Sequence, residues 1–223
     1  MTLYRLDASI RSEGSHTRSM ADVVEEEWLA AHPDSSVVRR QLAQDPVPAT
    51  AWAAAVNGSM TAEEKRSAEQ REALALAARE VDRLVDADVL LFAVPLYNYG
   101  VSQHFKTWID LAITDPRLAP GETPAIAGKP AVLVTARGGY YNVGGPREGW
   151  DHATPWMRRV LADLWQLDLR VVEAELTLAE VVPAMADLRG LAAEFKDRAH
   201  KEARSHGKHH LAARRHKSGT PVA

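Results

Sequence analysis

Two stretches of the chain are apolar without interruption. Val89-Leu90-Leu91-Phe92-Ala93-Val94 stops at Pro95, and Ala131-Val132-Leu133-Val134-Thr135 follows a Gly128-Lys129-Pro130 break and precedes Gly138-Gly139. Short runs rich in β-branched residues, with no polar face, predict strands buried on both sides. Residues 3–8, 37–42 and 169–175 give weaker strand patterns, and the last two carry charges that suit outer strands. Between these segments the period lengthens. Residues 17–31 are polar with spaced apolar positions. The segment 62–85 repeats Leu74, Ala77, Ala78, Val81, Leu84 and Val85 at helical spacing, behind Thr61 and Glu64 at capping-box spacing. A third helix is expected from Ser102, burying Phe105, Trp108, Ile109 and Ala112. A fourth has Thr154 as N-cap and Pro155 at its first position, and a fifth runs from about Pro183 with Leu188, Leu191 and Phe195 on its apolar face.

Strand and helix alternate five times. Strict alternation predicts a parallel sheet with helices on both faces. Five strands suit the flavodoxin-like order 2-1-3-4-5. Residues 43–60, with Pro46, Pro48 and Asn57-Gly58, form an unusually long connection of the kind often used as a lid.

Composition narrows the functional classes. Apolar residues make up 46% of the chain, enough for a core, and no apolar run approaches the roughly 18 residues that a membrane span needs. The absence of cysteine excludes a disulfide framework, a thiolate nucleophile and a Cys-based metal site, and it is compatible with a cytoplasmic setting. Net charge is −3, unevenly spread. Lys196 to Lys217 holds eight Lys/Arg and two Asp/Glu, a local +6, so the remainder carries −3 − 6 = −9. The expected organisation is a domain over 1–199 and a basic, His-rich, mobile tail over 200–223. A charge run of this kind is ordinarily a solvated face rather than a nucleic-acid surface.

In a doubly wound sheet, ligands bind beyond the carboxyl ends of the strands, where strand order reverses. The loops after strands one, three and four should meet there. The first contains Ser9, Ser15, His16 and Thr17 and opens a helix, whose free N–H groups and partial positive charge suit a phosphate. An ordinary capped turn would look the same. The second reads Pro95-Leu96-Tyr97-Asn98-Tyr99, offering aromatic faces and an amide for the edge of a flat ring. The third, Ala136-Arg137-Gly138-Gly139-Tyr140-Tyr141, offers close backbone approach and a positive charge. Neither the dinucleotide fingerprint nor a Walker A motif is present. Each loop alone is a weak signal. Their convergence points to a phosphate-bearing flat heterocycle, and flavin mononucleotide (FMN) fits.

At these residues the chain resembles the FMN-dependent NADH:quinone oxidoreductase and azoreductase family. Residues 95–110, Pro-Leu-Tyr-Asn-Tyr-Gly-Val-Ser-Gln-His-Phe-Lys-Thr-Trp-Ile-Asp, are similar to that family's P-M-Y-N-F…P-S-x-L-K-x-W-I-D segment, and Arg137-Gly138-Gly139 to its S-R-G-G. The resemblance implies a phosphate held by Ser9, Ser15, His16 and Thr17, and a ring along Pro95 to Tyr99 and against Ala136, Arg137, Gly138 and Gly139. It also implies a homodimer, and electrons passed from NADH or NADPH to a small aromatic acceptor at one flavin face. Asn98 would hold the pyrimidine edge or N5. Tyr141, where several relatives have histidine, is the expected proton donor. Leu96 replaces a methionine and Ala136 a serine. Two other chemistries suit the same scaffold: a reductase or dehydrogenase for one biosynthetic intermediate, and an electron carrier with no substrate of its own.

Overall fold

A computed structural model describes residues 1–211. Five parallel strands make the main sheet: β1 (Thr2–Asp7), β2 (Ser36–Gln41), β3 (Val89–Ala93), β6 (Pro130–Ala136) and β7 (Asp168–Ala174). Their order is β2-β1-β3-β6-β7, the doubly wound arrangement that the alternation predicts. Strand order reverses between β1 and β3, which pair in parallel from Leu3↔Val89 to Asp7↔Ala93. Both central strands are buried along their whole length, which is why their sequences lack a polar face.

Side chains nevertheless alternate between two cores. Tyr4, Leu6, Leu90, Phe92 and Leu133 face one side, against α2 (Ala51–Ser59), α3 (Ala68–Asp86), α4 (Gln103–Ala112) and α5 (Thr154–Arg158). Leu3, Leu91, Val132 and Val134 face the other, against α1 (His16–Ala31) and α6 (Arg189–Ser205). Met20, Ala21, Val24 and Trp28 make the buried stripe of α1. Polar contacts then fix where α1 starts. The buried Arg5 guanidinium on β1 reaches Asp7, Asp22 (2.7 Å) and Glu25 (3.1 Å), so β1 and α1 cannot slide apart without stranding charge. Burial raises the Asp7 carboxyl above the usual range while the facing Arg5 opposes that shift.

The structure corrects several expected boundaries. The helix expected over 62–85 begins later: Ser67 is the N-cap of α3, in a capping box with Gln70, and the Thr61 hydroxyl instead donates to the Asn57 carbonyl. The connection 43–60 is not open loop, since it carries α2, packed on α3 with Gly58 against Leu74. Thr154 is not the N-cap of α5. Ala153 occupies that position, and the Asp151 carboxylate accepts from the N–H groups of Ala153 and Thr154, both at 2.8 Å. A two-strand hairpin, β4 (Leu96–Tyr97) and β5 (Gly100–Val101), occupies what reads as a loop in sequence.

The C-terminal segment is also corrected. Residues 200–211 do not form a mobile tail: α6 continues to Ser205 and passes into a π-type turn, His206–His210. Ala203, Gly207 and Leu211 are buried there. Gly207 lies so close to α1 that a Cβ would collide with the Val24 carbonyl and come within 3.0 Å of Glu27 Cβ. The remainder of the expected tail, 212–223, lies outside the described residues.

Candidate functional site

A cleft of about 240 Å³ opens at the carboxyl ends of β1, β3, β6 and β7. Its first wall is the loop after β1. Ser9, Arg11, Ser15, His16 and Thr17 line it. The Ser15 side chain caps α1 by accepting from the Arg18 N–H at 3.3 Å, and its hydroxyl lies 3.2 Å from that of Thr17. The N–H groups of Ser15, His16 and Thr17 have no acceptor among the described residues, as expected at a helix start. Arg18 braces the loop from behind, donating to the Ser12 carbonyl at 2.8 Å. His16 is partly buried. Desolvation, then Arg11 and Lys196, lower its pKa from the ordinary histidine range, against an opposing contribution from Glu180.

Pro95, Leu96 and Tyr97 form the second wall. The Tyr97 hydroxyl lies 3.3 Å from Ser9 Oγ and accepts from the Ile10 N–H at 3.2 Å, so the hairpin side chain fixes the first loop. Ser102 adds a second tie, donating to the Ala8 carbonyl at 3.2 Å while accepting from the Phe105 N–H to cap α4. The hairpin turns through Asn98 (φ 49°) and Tyr99 (φ 67°). Positive φ at both central residues gives the type I′ turn that matches strand twist, at a cost for a bulky tyrosine.

Ala136 and Gly138 form the third wall, facing Thr177 and Leu178 of the loop after β7. The two segments are laced together: Thr177 N–H and Oγ1–H both donate to the Arg137 carbonyl, and Leu178 N–H donates to the Gly138 carbonyl. A Cβ on Gly138 would come within 2.6 Å of Leu178 Cδ1, so a side chain here would require Leu178 to move. The N–H groups of Gly138 and Gly139 have no acceptor among the described residues.

The structure therefore brings together Ser9, Ser15, His16, Thr17, Pro95, Leu96, Tyr97, Ala136 and Gly138. Asn98 instead lines the adjoining groove, beside Tyr97 and Gln103. Tyr99 stands exposed at the turn. Arg137 is placed differently from the expectation of a ligand-facing charge. It is 3% exposed and pairs with Asp151 (2.7 Å), Glu173 and Glu175 (3.4 Å), binding β6 to β7 and to the start of α5. The Gly139 α-carbon faces Arg147 and Tyr141 rather than the cleft. Tyr141 is buried and does not line the cleft; its backbone N–H donates to Glu175 at 2.9 Å, and its hydroxyl lies 3.5 Å from Arg147 Nη1. Sequence reasoning missed Arg11, Thr177 and Leu178. The signal for the last two was available: Leu176-Thr177-Leu178 directly follows the fifth strand, whose carboxyl end shares this edge of the sheet.

These walls define a doubly wound α/β protein whose donors suit a phosphate at one end of the cleft and a flat apolar body at the other. The chain belongs to the family described as having the flavodoxin-like fold, whose model matches residues 1–199. It is 40% identical over 188 residues to the FMN-dependent NADH:quinone oxidoreductase of Frankia casuarinae, covering 83% of this chain and 88% of that one. It is 37% identical over 206 residues to the enzyme of the same name from Streptomyces coelicolor, covering 91% of each. Among solved structures, an azoreductase from Bacillus anthracis superposes with a TM-score of 0.74 at 19% identity, covering 93% of this chain and 99% of that one. An FMN-dependent NADH-azoreductase from the same species, solved with FMN, superposes with a TM-score of 0.67 at 15% identity over 91% of this chain and 100% of that one. At those identities the likeness concerns the fold.

Proposed function

We propose that this chain is an FMN-dependent oxidoreductase that takes electrons from NADH or NADPH and passes them to a quinone or azo acceptor. The observation that carries this reading is the coincidence of two unlike sets of groups in one cleft. Unpaired N–H donors and hydroxyls of Ser15, His16 and Thr17 stand at one end, and the apolar surfaces of Pro95, Leu96 and Leu178 stand beyond them. The names of the curated relatives support the same reading.

The residues fit FMN. Ser9, Ser15, His16 and Thr17 hold the phosphate at the positive end of α1. Pro95, Leu96 and Tyr97 carry the ring, and Ala136 and Gly138 close its edge. The Gly138 N–H, which has no acceptor among the described residues, adjoins that edge and is suited to stabilise negative charge there. Bound FMN supplies the hydride chemistry, and the protein binds, orients and tunes. Tyr97 holds the first loop through Ser9 and Ile10. The β6–β7 lacing keeps the glycine edge in place. A homodimer, which the family resemblance implies, is part of the proposal. A cytoplasmic setting, with which the cysteine-free composition is compatible, is also part of the proposal.

Anaerobic titration tests the reading. NADH or NADPH should bleach the flavin absorbance of the purified protein, and a quinone added afterwards should restore it. Initial rates should give parallel double-reciprocal lines. FAD in place of FMN, or reduction without reoxidation by any quinone or azo acceptor, would overturn it.

A further inference from the structure

We propose that Arg147, Tyr99 and Trp150 form a recognition rim beside the cleft that selects flat aromatic ligands carrying an anionic group. The inference rests on the oxidoreductase reading and names the ligand chemistry of that same site.

Three observations converge. Tyr99 is held at φ 67°, an uncommon conformation for an aromatic residue, two positions beyond the cleft-lining Tyr97. It is 40% exposed, and its carbonyl accepts from the His152 N–H at 3.0 Å, which ties the hairpin turn to the loop after β6. Trp150, 51% exposed, meets Tyr99 edge-on at 5.6 Å, and the buried Tyr141 supports Tyr99 from 6.3 Å. Two large aromatic surfaces are thus fixed in solvent. The Arg147 guanidinium lies beside them, 5.8 Å from the Tyr141 ring centre, with Nη1 3.5 Å from the Tyr141 hydroxyl. A Cβ on Gly139 would come within 2.8 Å of Nη1, so bare Gly139 lets this cation lie on the backbone strip next to the cleft-lining Gly138.

Among the described residues Arg147 makes no ion pair. The nearby carboxylates are engaged elsewhere: Glu148 with the Gly144 N–H, Asp151 with Arg137 and the start of α5, and Glu175 with Arg137 and the Tyr141 N–H. An unpaired planar cation adjoining exposed aromatic faces is matched by a ring bearing a sulfonate or carboxylate. The donor's phosphates carry the same anionic chemistry, and the half-reactions distinguish the two sources.

The test compares 1,4-naphthoquinone with its 2-sulfonate, using flavin-loaded wild-type protein and the variants R147Q, R147K and W150A. R147Q should lower the ratio of kcat/KM for the sulfonated over the neutral acceptor by about tenfold, the effect of one partly exposed charge-assisted hydrogen bond. R147K should restore part of it, and W150A should weaken both acceptors. Calorimetry on the oxidised protein should show 2-naphthalenesulfonate binding more tightly than 2-naphthalenemethanol, with the difference lost in R147Q. If R147Q instead slows only flavin reduction by NADH, the anion recognised is the donor's phosphate. An unchanged acceptor ratio together with an unchanged NADH step overturns the proposal. A wild-type protein that turns over no quinone strikes at the oxidoreductase reading, while the naphthalenesulfonate binding still decides the rim.

Discussion

His16 stands at the start of α1, where desolvation and the neighbouring Arg11 and Lys196 oppose its charge. Its pKa in the folded protein lies below the unfolded value, so the unfolded chain binds more protons at mildly acidic pH. Stability therefore falls as pH drops through the ordinary histidine range of about 6.5, and the loss is complete below the depressed folded value. A phosphate beside the ring reverses the balance by favouring imidazolium. FMN affinity should accordingly strengthen as pH is lowered from 8 towards 6, and His16→Gln should flatten that dependence; fluorescence titration of FMN at several pH values measures it. Identical slopes in the two proteins would place the imidazole outside the phosphate's field. Ser15 was legible in the sequence for the reason that makes it useful: a hydroxyl at a helix start has both a capping and an anion-binding reading, and here the geometry permits both. Arg137 was not legible. Its type suggested ligand charge, whereas its partners Asp151, Glu173 and Glu175 lie on other elements and come together only in the folded chain.

Those partners make Arg137 a device of the element scale. Three carboxylates, from the end of β7, the residue after it and the turn before α5, converge on one buried guanidinium. Arg137→Gln strands them, so it should destabilise the fold by roughly 3–5 kcal/mol, as breaking a buried pair does. Urea unfolding measures the loss, and a change under about 1 kcal/mol would mean that the carboxylates find water instead. The contact between the C-terminal turn and α1 gives a second expectation. Gly207→Ala drives a methyl group into the Val24 carbonyl, and should cost about 1–3 kcal/mol by overpacking. Truncation after His200 removes Ala203, Gly207 and Leu211 from the second core, so it should lower Tm and weaken flavin retention together. A truncated protein with wild-type Tm would show that this turn contributes nothing to the body it covers. The sequence concealed the contact because charge dominates the segment, and its few small apolar positions carry no visible periodicity.

At the scale of the whole molecule, alternation alone was sufficient for the strand order, because two fully apolar strands and their helices leave few ways to bury both faces. What stayed hidden was α2. Ala51–Ser59 reads AWAAAVNGS, with no polar stripe to set a period and an Asn-Gly pair that imitates a turn. The β4–β5 hairpin was hidden for a related reason, since two-residue strands are too short to show alternation and its turn uses tyrosine where glycine would be the visible signal. The hairpin lies at the cleft, whereas α2 packs on the first core through the small residues Ala51 and Ala55, which leave little imprint on sequence. Size-exclusion chromatography with light scattering tests the molecular assembly. A mass twice that of the 24.5 kDa chain is expected, and a monomer at micromolar concentration would leave the cleft with only its own walls.

The close approach of Gly207 to α1 also bears on the order of events during synthesis. The helix whose first turn lines the cleft is made well before the C-terminal turn, His206–His210, that covers part of its outer face. Domains assemble as the chain leaves the ribosome at about 5–20 residues per second, N-terminal parts first. The cleft-lining helix therefore waits, partly uncovered, until residues 206–210 have followed it. Cofactor capture becomes a completion event. Stalled nascent chains ending before residue 205 should retain no flavin, whereas released full-length chains should, and flavin fluorescence on purified ribosome-bound intermediates would reveal the step.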